Sequence, residues 1–149
     1  MGKFEDIASE MVLYRMKTSW LKIEKFYNEI AQSNDVSLSM AFVLMAINNE
    51  KGSTVTSIAP RIGLEPNSLS RILKNLKEKG LIYKKKSSED KRKVYICLTS
   101  LGVEKQILAL EKMNTLESSI KERISREQLE GFFAVNKAIF SSIENFNKG

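Results

Sequence analysis

The side chains that offer the clearest chemistry are cations, and they are concentrated in one short segment. Between Arg71 and Lys93 there are ten lysines and arginines against three acidic residues, a local net charge of +7. The whole chain of 149 residues carries +6, so the remaining residues together sum to −1. Such a localised positive field attracts polyphosphates or anionic surfaces, because each neutralised phosphate releases counterions. A solvated, lysine-rich surface is the alternative that charge alone leaves open.

The side chains that most catalytic sites require are missing. With no histidine and one cysteine, the chain contains no internal disulfide, no His/Cys zinc site and no Ser–His or Cys–His nucleophile. It has no G-x-x-x-x-G-K-[ST] loop and no G-x-G-x-x-G motif for nucleotides. The 18 Asp and Glu residues are scattered and give a carboxylate-based hydrolase no support. We therefore expect no enzymatic activity, no metal and no cofactor.

Two consecutive helices are predicted, and the second of them runs into the cationic segment. The first runs from Val55 to Ile62 with Thr54 as its N-cap, contains Pro60, and is closed by a left-handed Gly63. The second runs from Pro66 to Lys79, with proline at the favoured first position. At about 100° per residue, four apolar side chains of this second helix share one face: Leu69, Ile72, Leu73 and Leu76. The opposite face is polar, and this helix-turn-helix layout suits reading of base edges in a DNA groove.

A basic hairpin follows directly. Leu81–Lys86 and Lys93–Leu98 read as two strands around a polar tip, and alternate residues of the second strand point to the core. Cys97 is expected on the opposite side of that strand, away from the core, where nothing nearby in sequence marks its thiol as reactive. A hairpin of this kind after a recognition helix is a wing, and its arginine suits a narrow, electronegative minor groove.

Further helices are predicted before and after the helix-turn-helix and the hairpin. One spans Phe4 to about Ala31, and a nearly all-apolar helix follows over Leu38–Asn49. Thr99 is the expected N-cap of a helix that ends near Ile124, and a capping box at Ser125 starts a last helix that ends near Asn147. The terminal helices carry more apolar side chains than one chain needs, so we expect them to bury against each other and against a second chain.

The predicted fold is therefore mainly α with a small two-stranded β wing, as a single domain over 1–149. A winged helix DNA-binding lobe covers 37–99, with the wing at about 81–98, and a helical dimerisation lobe comes from 1–34 and 100–149. The longest apolar run, Met40–Ile47, is far short of the ~20 residues that cross a bilayer. No secretory signal follows the start, so we expect a cytoplasmic protein without a membrane partner.

Two motifs at the appropriate separation identify a family resemblance. The run from Asp90 to Gly102 follows the pattern D-x-R, an alternating strand and L-T-x-x-G. The run from Leu69 to Ile82 is similar to a recognition helix that leads into the first wing strand. Over essentially its full length the chain resembles the MarR family of bacterial winged helix-turn-helix transcriptional regulators. Pro60 and the Lys84–Lys86 run depart from the usual pattern, which leaves individual phosphate contacts open.

The resemblance implies a homodimer and a set of DNA contacts. In the family, the first, fifth and sixth helices of both chains intertwine. The resemblance further implies that Arg92 enters the minor groove and that Asp90 orients it through a charge-assisted hydrogen bond. Residues of the helix Pro66–Lys79 would contact the major groove. Thr54 and Thr56 would donate to phosphate. The implied DNA-binding set is Thr54, Thr56, Asn67, Ser68, Ser70, Arg71, Lys74, Asp90, Lys91 and Arg92.

The function predicted from these observations is sequence-specific, double-stranded DNA binding by a homodimeric repressor on a pseudo-palindromic operator. The resemblance implies relief of repression by a small aromatic or phenolic ligand held between the two lobes. Four side chains are expected to line that cleft, with a plain hydrophobic core as the alternative for each: Met16, Trp20, Phe42 and Met45. The alternative function is a winged helix module that binds RNA or a protein partner through the same basic face.

Overall fold

The computed structural model describes residues 2–149, which form seven helices and three short strands. In chain order the elements are α1 Lys3–Ala8, α2 Val12–Ser33, α3 Leu38–Ala46, β1 Ser53–Thr54, α4 Val55–Ile62, α5 Pro66–Glu78, β2 Ile82–Lys86, β3 Val94–Leu98, α6 Ser100–Lys121 and α7 Arg126–Asn147. The mainly helical architecture with a small sheet is confirmed. The chain divides into two compact units, one that ends at Ala109 and one that spans Leu110–Gly149.

The helix-turn-helix lies over α4 and α5, and its predicted bounds are correct to within one residue. Gly63 closes α4 in the left-handed region at φ 65°, a conformation that glycine adopts without a Cβ clash. The backbone N–H of Leu64 then donates to the carbonyl of Ala59 at 3.2 Å. Pro66 starts α5 at a position where its missing N–H costs no helical hydrogen bond. Pro60 lies inside α4, as predicted.

The sheet has three antiparallel strands in the order β1-β3-β2, so the prediction of a two-stranded wing is incomplete. In β1, Ser53 pairs with Ile96 and Thr54 pairs with Tyr95. Two residues are too few to show the alternation that reveals a strand in a sequence. The strand depends on tertiary contacts, since Ser53 is buried and its hydroxyl accepts a hydrogen bond from the N–H of Asn48 at 2.9 Å.

The core lies between the helices α3, α4 and α5 and one face of the sheet. Its buried members are apolar side chains from all of these elements and from the turn after α5: Met40, Val43, Leu44, Ile47, Ile58, Leu69, Leu73, Leu76, Leu81, Ile82, Ile96 and Leu98. Ser37 caps α3, because its hydroxyl accepts the N–H of Met40 at 3.1 Å. The nearly all-apolar α3 is thus a central buried helix, as predicted.

The helix α3 ends at Ala46, three residues before the predicted end at Asn49. The side-chain oxygen of Asn48 accepts two backbone N–H groups, from Glu50 and Lys51, each at 2.9 Å. This local turn competes with helix continuation, as asparagine side chains commonly do. The buried amide of Gln106 in α6 donates to the carbonyls of Leu44 and Ile47 at 2.7 and 2.8 Å, which satisfies acceptors at the end of α3.

The single N-terminal helix predicted from Phe4 to Ala31 is wrong. The structure has two helices, α1 and α2, separated by residues 9–11. The hydroxyl of Ser9 donates to the carbonyl of Asp6 at 2.9 Å, and Arg15 Nε donates to the carbonyl of Ser9 at 2.9 Å. No proline or glycine marks the interruption, which is instead stabilised by these side-chain bonds to the backbone.

Cys97 lies, as predicted, on the face of β3 opposite the core residues Ile96 and Leu98, yet it is buried at 8% exposure. The turn that contains Gly52 covers it. A Cβ atom added to Gly52 would lie 2.7 Å from the Cys97 sulfur, and this glycine has φ 76°. A larger residue therefore has neither the space nor the backbone conformation required there.

The starts of α6 and α7 are confirmed. The hydroxyl of Thr99 accepts the N–H of Gly102 at 3.0 Å and donates to the carbonyl of Gly80 at 2.7 Å, so one cap joins α6 to the end of α5. α6 ends at Lys121, before the predicted Ile124. In the unit Leu110–Gly149, Ser125 and Gln128 form both hydrogen bonds of the predicted capping box.

Gly102 allows the first turn of α6 to approach the chain before β2, and Gly102→Ala is expected to destabilise the protein. A Cβ at this position would lie 2.0 Å from the carbonyl oxygen of Leu81, a backbone atom that cannot rotate away. We expect a loss of about 1–3 kcal/mol in the free energy of unfolding, as for other overpacked cores. Urea unfolding at one fixed protomer concentration measures this loss.

The matched control is Gly131→Ala in the middle of α7, where an added Cβ meets no atom within 4 Å. Alanine there is expected to leave stability unchanged or raise it by roughly 0.5–1 kcal/mol. A Gly102→Ala variant with a wild-type urea midpoint would show that the close approach to Leu81 does not constrain the fold.

Candidate nucleic-acid interface

The helix α5 is amphipathic, with one apolar face and one polar face. Leu69, Leu73 and Leu76 are buried in the core, which orients the rest of the helix. The exposed side chains include four of the five residues predicted on this helix to contact DNA: Asn67, Ser70, Arg71 and Lys74. The fifth, Ser68, is half-buried. The Ser70 hydroxyl donates to the carbonyl of Pro66 at 3.0 Å, which leaves its lone pairs free to accept.

The two predicted threonines lie together at the start of α4. Thr54 is the last residue of β1 and occupies the N-cap position, and Thr56 follows in the first helical turn. Their hydroxyl oxygens are 3.4 Å apart. Thr54 makes no side-chain capping bond, so hydroxyl and backbone donors are both present at the positive end of this helix. This arrangement is suited to an anionic oxygen.

The tip of the wing is an ordered turn between β2 and β3. Its backbone is closed by two hydrogen bonds of 3.0 Å, from the N–H of Ser87 to the carbonyl of Lys93 and from the N–H of Lys93 to the carbonyl of Asp90. Asp90 Oδ1 also accepts the backbone N–H of Arg92 at 3.0 Å. The Asp90 carboxylate thus bonds to the backbone that carries Arg92, and the ion pairs of residues 2–149 include none between this carboxylate and the Arg92 guanidinium. Lys91 is exposed between them.

The positive charge of this region is not neutralised within the described chain. Of the ten cations from Arg71 to Lys93, only Lys79 forms an ion pair in residues 2–149, with Asp35 at 3.2 Å. The other two ion pairs of those residues lie in α6 and α7. The remaining nine cations are all exposed. Such an accumulation repels itself, and an anionic partner would relieve the repulsion.

A cavity of about 400 Å³ lies among α2, α3 and α4. Its walls combine aromatic, aliphatic and polar side chains: Trp20, Glu24, Asn28, Leu38, Ser39, Phe42, Arg61, Ile62 and Leu64. The rings of Trp20 and Phe42 are 6.5 Å apart between centroids and tilted by 32°. Both were predicted in the ligand cleft, whereas Met16 and Met45 do not line this cavity.

The other seven cavity residues were not predicted, and Arg61 is the basic one among them. One guanidinium nitrogen donates to the carbonyl of Ala46 at 2.8 Å, which anchors the side chain near the end of α3 while its other donors stay available. A single arginine in a short helix carries no local pattern that would reveal this role. The contact spans 15 residues of sequence and becomes visible only once α3 and α4 are packed.

The helix-turn-helix, the recognition-type helix α5 and the basic hairpin together define a winged helix-turn-helix protein. Residues 36–94 match the MarR family model. The transcriptional regulator SarZ of Staphylococcus haemolyticus is 27% identical over 99 residues, which are 66% of this chain and 67% of SarZ. SarZ of Staphylococcus saprophyticus is 27% identical over 92% of this chain and 96% of its own length. The chain is thus similar to MarR-family transcriptional regulators, and the family match itself lies over residues 36–94.

Solved structures share the fold. MepR of S. aureus in complex with DNA is 21% identical with a TM-score of 0.79, over 89% of this chain and 98% of MepR. CouR of Rhodococcus jostii bound to p-coumaroyl-CoA is 16% identical with a TM-score of 0.78, over 89% of this chain and 93% of CouR. Within residues 2–149, no helix combines the length and the apolar character needed to span a bilayer.

Asp90 acts on the wing through the backbone, so its hydrogen-bonding capacity should matter more than its charge. Asp90→Asn retains a side-chain oxygen that accepts the N–H of Arg92, whereas Asp90→Ala loses it. We expect Asp90→Asn to bind duplex DNA as tightly as wild type or more tightly, and Asp90→Ala to bind about fivefold more weakly. Fluorescence anisotropy with a labelled duplex measures both affinities. Equal weakening in the two variants would instead favour a direct charge interaction between Asp90 and the Arg92 guanidinium.

Proposed function

We propose that this protein is a homodimeric repressor that binds a pseudo-palindromic operator and is released by a small aromatic ligand. The observation that carries the DNA-binding part is the set of nine exposed cations without an intramolecular ion pair on and beside α5 and the wing. Such a regulator acts on the chromosome, in the bacterial cytoplasm.

The proposed contacts divide between the two grooves. Helix α5 enters the major groove, where Arg71 and Asn67 are the side chains with donors suited to base edges. Arg92 enters the minor groove from the tip of the wing. Hydroxyls and lysines contact phosphates on either side and set the register of the protein on the duplex: Thr54, Thr56, Ser68, Ser70, Lys74 and Lys91.

Exposed apolar side chains support a homodimer. In α7 no residue is buried, and Phe132, Phe133 and Phe140 are 54, 57 and 64% exposed. The helices α1, α2 and α6 also carry several large exposed apolar residues. Apolar surface on this scale marks an interface, and a second copy of the chain is the proposed occupant. A two-fold axis would place two α5 helices about 34 Å apart, which is one turn of a palindromic site.

The cavity among α2, α3 and α4 supports the ligand part. Aromatic rings of Trp20 and Phe42 can stack on a planar ligand, and Arg61 can pair with an anionic group of that ligand. The fold relative CouR has been solved with p-coumaroyl-CoA, an aromatic acyl compound. Because α4 continues into α5 through the short turn at Gly63, a ligand that displaces α4 would also displace α5. A ligand with higher affinity for the displaced state then lowers DNA affinity.

The wing contact is tested with a duplex selected from random DNA by the purified protein. We expect two chains to bind each selected duplex. Arg92→Ala should weaken binding by about tenfold to a hundredfold, because it removes one specific arginine contact. Unfolding by urea should be unchanged, because Arg92 is exposed. The control Arg126→Ala removes an equally charged, exposed side chain from the start of α7 and should retain wild-type affinity.

Wild-type affinity in Arg92→Ala would contradict the wing assignment. Failure to enrich any sequence, with equal binding to random duplex and to RNA, would favour the alternative of a winged helix module that binds RNA or a protein through its basic face.

The ligand site can be tested with the fluorescence of Trp20, the only tryptophan of the chain. Because Trp20 lines the cavity, we expect a titration with hydroxybenzoates or cinnamates to change its emission and, at the same concentrations, to weaken binding to the selected duplex. Arg61→Gln should reduce the affinity for the anionic compounds while sparing that for the corresponding neutral amides. Equal losses for acids and amides would contradict the anion-binding role of Arg61.

A further inference from the structure

Three consecutive lysines of the wing, Lys84, Lys85 and Lys86, lie outside the contacts proposed so far. They form the second half of β2, and all three are exposed. Residues 2–149 provide no ion pair for any of them. The strand order β1-β3-β2 leaves β2 at an edge of the sheet, so one side of this strand has no partner strand within the described chain.

The register of the sheet assigns these lysines to opposite faces. Ile82 pairs with Leu98, Lys84 with Ile96, and Lys86 with Val94. Cross-strand partners share a face and successive residues alternate, so these six residues form one face, which we call the inner wing face. The pairs Tyr83–Cys97 and Lys85–Tyr95 lie on the other side, the outer wing face.

The inner wing face is the one that points toward α5. Ile82, Ile96 and Leu98 are buried in the same core cluster as Leu73 and Leu76 of α5. On the β2 side of this face, Ile82 is the last buried residue. The next two residues of β2 on the same face, Lys84 and Lys86, are exposed. Lys84 and Lys86 therefore lie on the α5 side of the hairpin, between α5 and the wing tip. Lys85 lies on the opposite side.

We propose that Lys84 and Lys86 bind phosphates of the DNA strand that runs between the groove read by α5 and the groove entered by the wing tip, and that Lys85 makes no such contact. This inference rests on the proposed function. The separation of the two lysines supports it, since two residues of a strand span about 6.6 Å and side chains on one face at this spacing can reach neighbouring phosphates of one DNA strand. The absence of intramolecular anionic partners leaves both ammonium groups available.

A charge-matched set of variants tests the assignment: Lys84→Gln, Lys86→Gln and Lys85→Gln. Each removes one positive charge from the same strand, so a general field effect weakens DNA binding equally in all three. A direct phosphate contact also contributes about 0.9 to the slope of log affinity against log salt concentration. We expect Lys84→Gln and Lys86→Gln each to reduce this slope by about 0.9 and the affinity at 0.1 M salt by about eightfold, with Lys85→Gln close to wild type.

The outcomes separate this inference from the function on which it rests. A wild-type protein that binds no duplex, even at low salt, would overturn both. Salt-dependent wild-type binding with equal slope changes in all three variants, or with none, would overturn the face assignment alone. Edge lysines also protect strands from pairing with other chains, so light scattering of each variant without DNA is included. A monodisperse Lys84→Gln with a reduced slope supports the phosphate contact.

Discussion

The packing of the α5 leucine face against the inner wing face is the interaction on which the rest of the structure depends. Leu73 and Leu76 share one buried cluster with Ile82, Ile96 and Leu98, so the recognition helix and the hairpin are parts of the same core. Close packing of this kind tolerates little displacement. This hydrophobic contact therefore fixes the position of the polar face of α5 relative to the basic hairpin.

The cationic surface of α5 and the hairpin is electrostatically unfavourable in the isolated chain. Nine exposed cations without intramolecular partners repel one another and lower the stability of the folded state. The backbone that carries them is correspondingly well ordered: the wing turn is closed by two main-chain hydrogen bonds and by the Asp90 carboxylate, and the Thr99 hydroxyl joins the end of α5 to the start of α6. Long, flexible cations on a rigid turn would lose less entropy on binding an anionic partner than the same cations on a mobile loop.

The helices at the two ends of the chain expose apolar side chains, in contrast to the exposed cations of α5 and the hairpin. Within the described residues, α7 buries no side chain although it carries four phenylalanines, and α2 buries only Ala31. A helix with this composition gains stability mainly by packing, since the propensity of an isolated helix is modest. In the proposed homodimer, folding and association would be coupled, and the measured stability would depend on protomer concentration. The core of the winged helix unit, in contrast, contains its own set of fully buried residues, including Leu44, Ile58 and Ile96.

The sequence by itself determined the class of protein, the helix-turn-helix, the hairpin and the caps, because these features rest on local rules. Gly63, Pro66 and the capping box at Ser125 act within a few residues of themselves, and the structure confirms them. The position of the cationic segment was likewise readable from the sequence alone.

Only the tertiary structure decided the features that depend on contacts between distant segments. The two-residue β1 exists because Ser53 meets Ile96, and Cys97 is buried because the turn at Gly52 covers it. Arg61 of α4 bonds to the end of α3, and the lysines of β2 divide between two faces through their pairing with β3. Local propensity carries no information about such pairings, since their energy comes from desolvation and hydrogen bonds between residues that become neighbours only when the core forms.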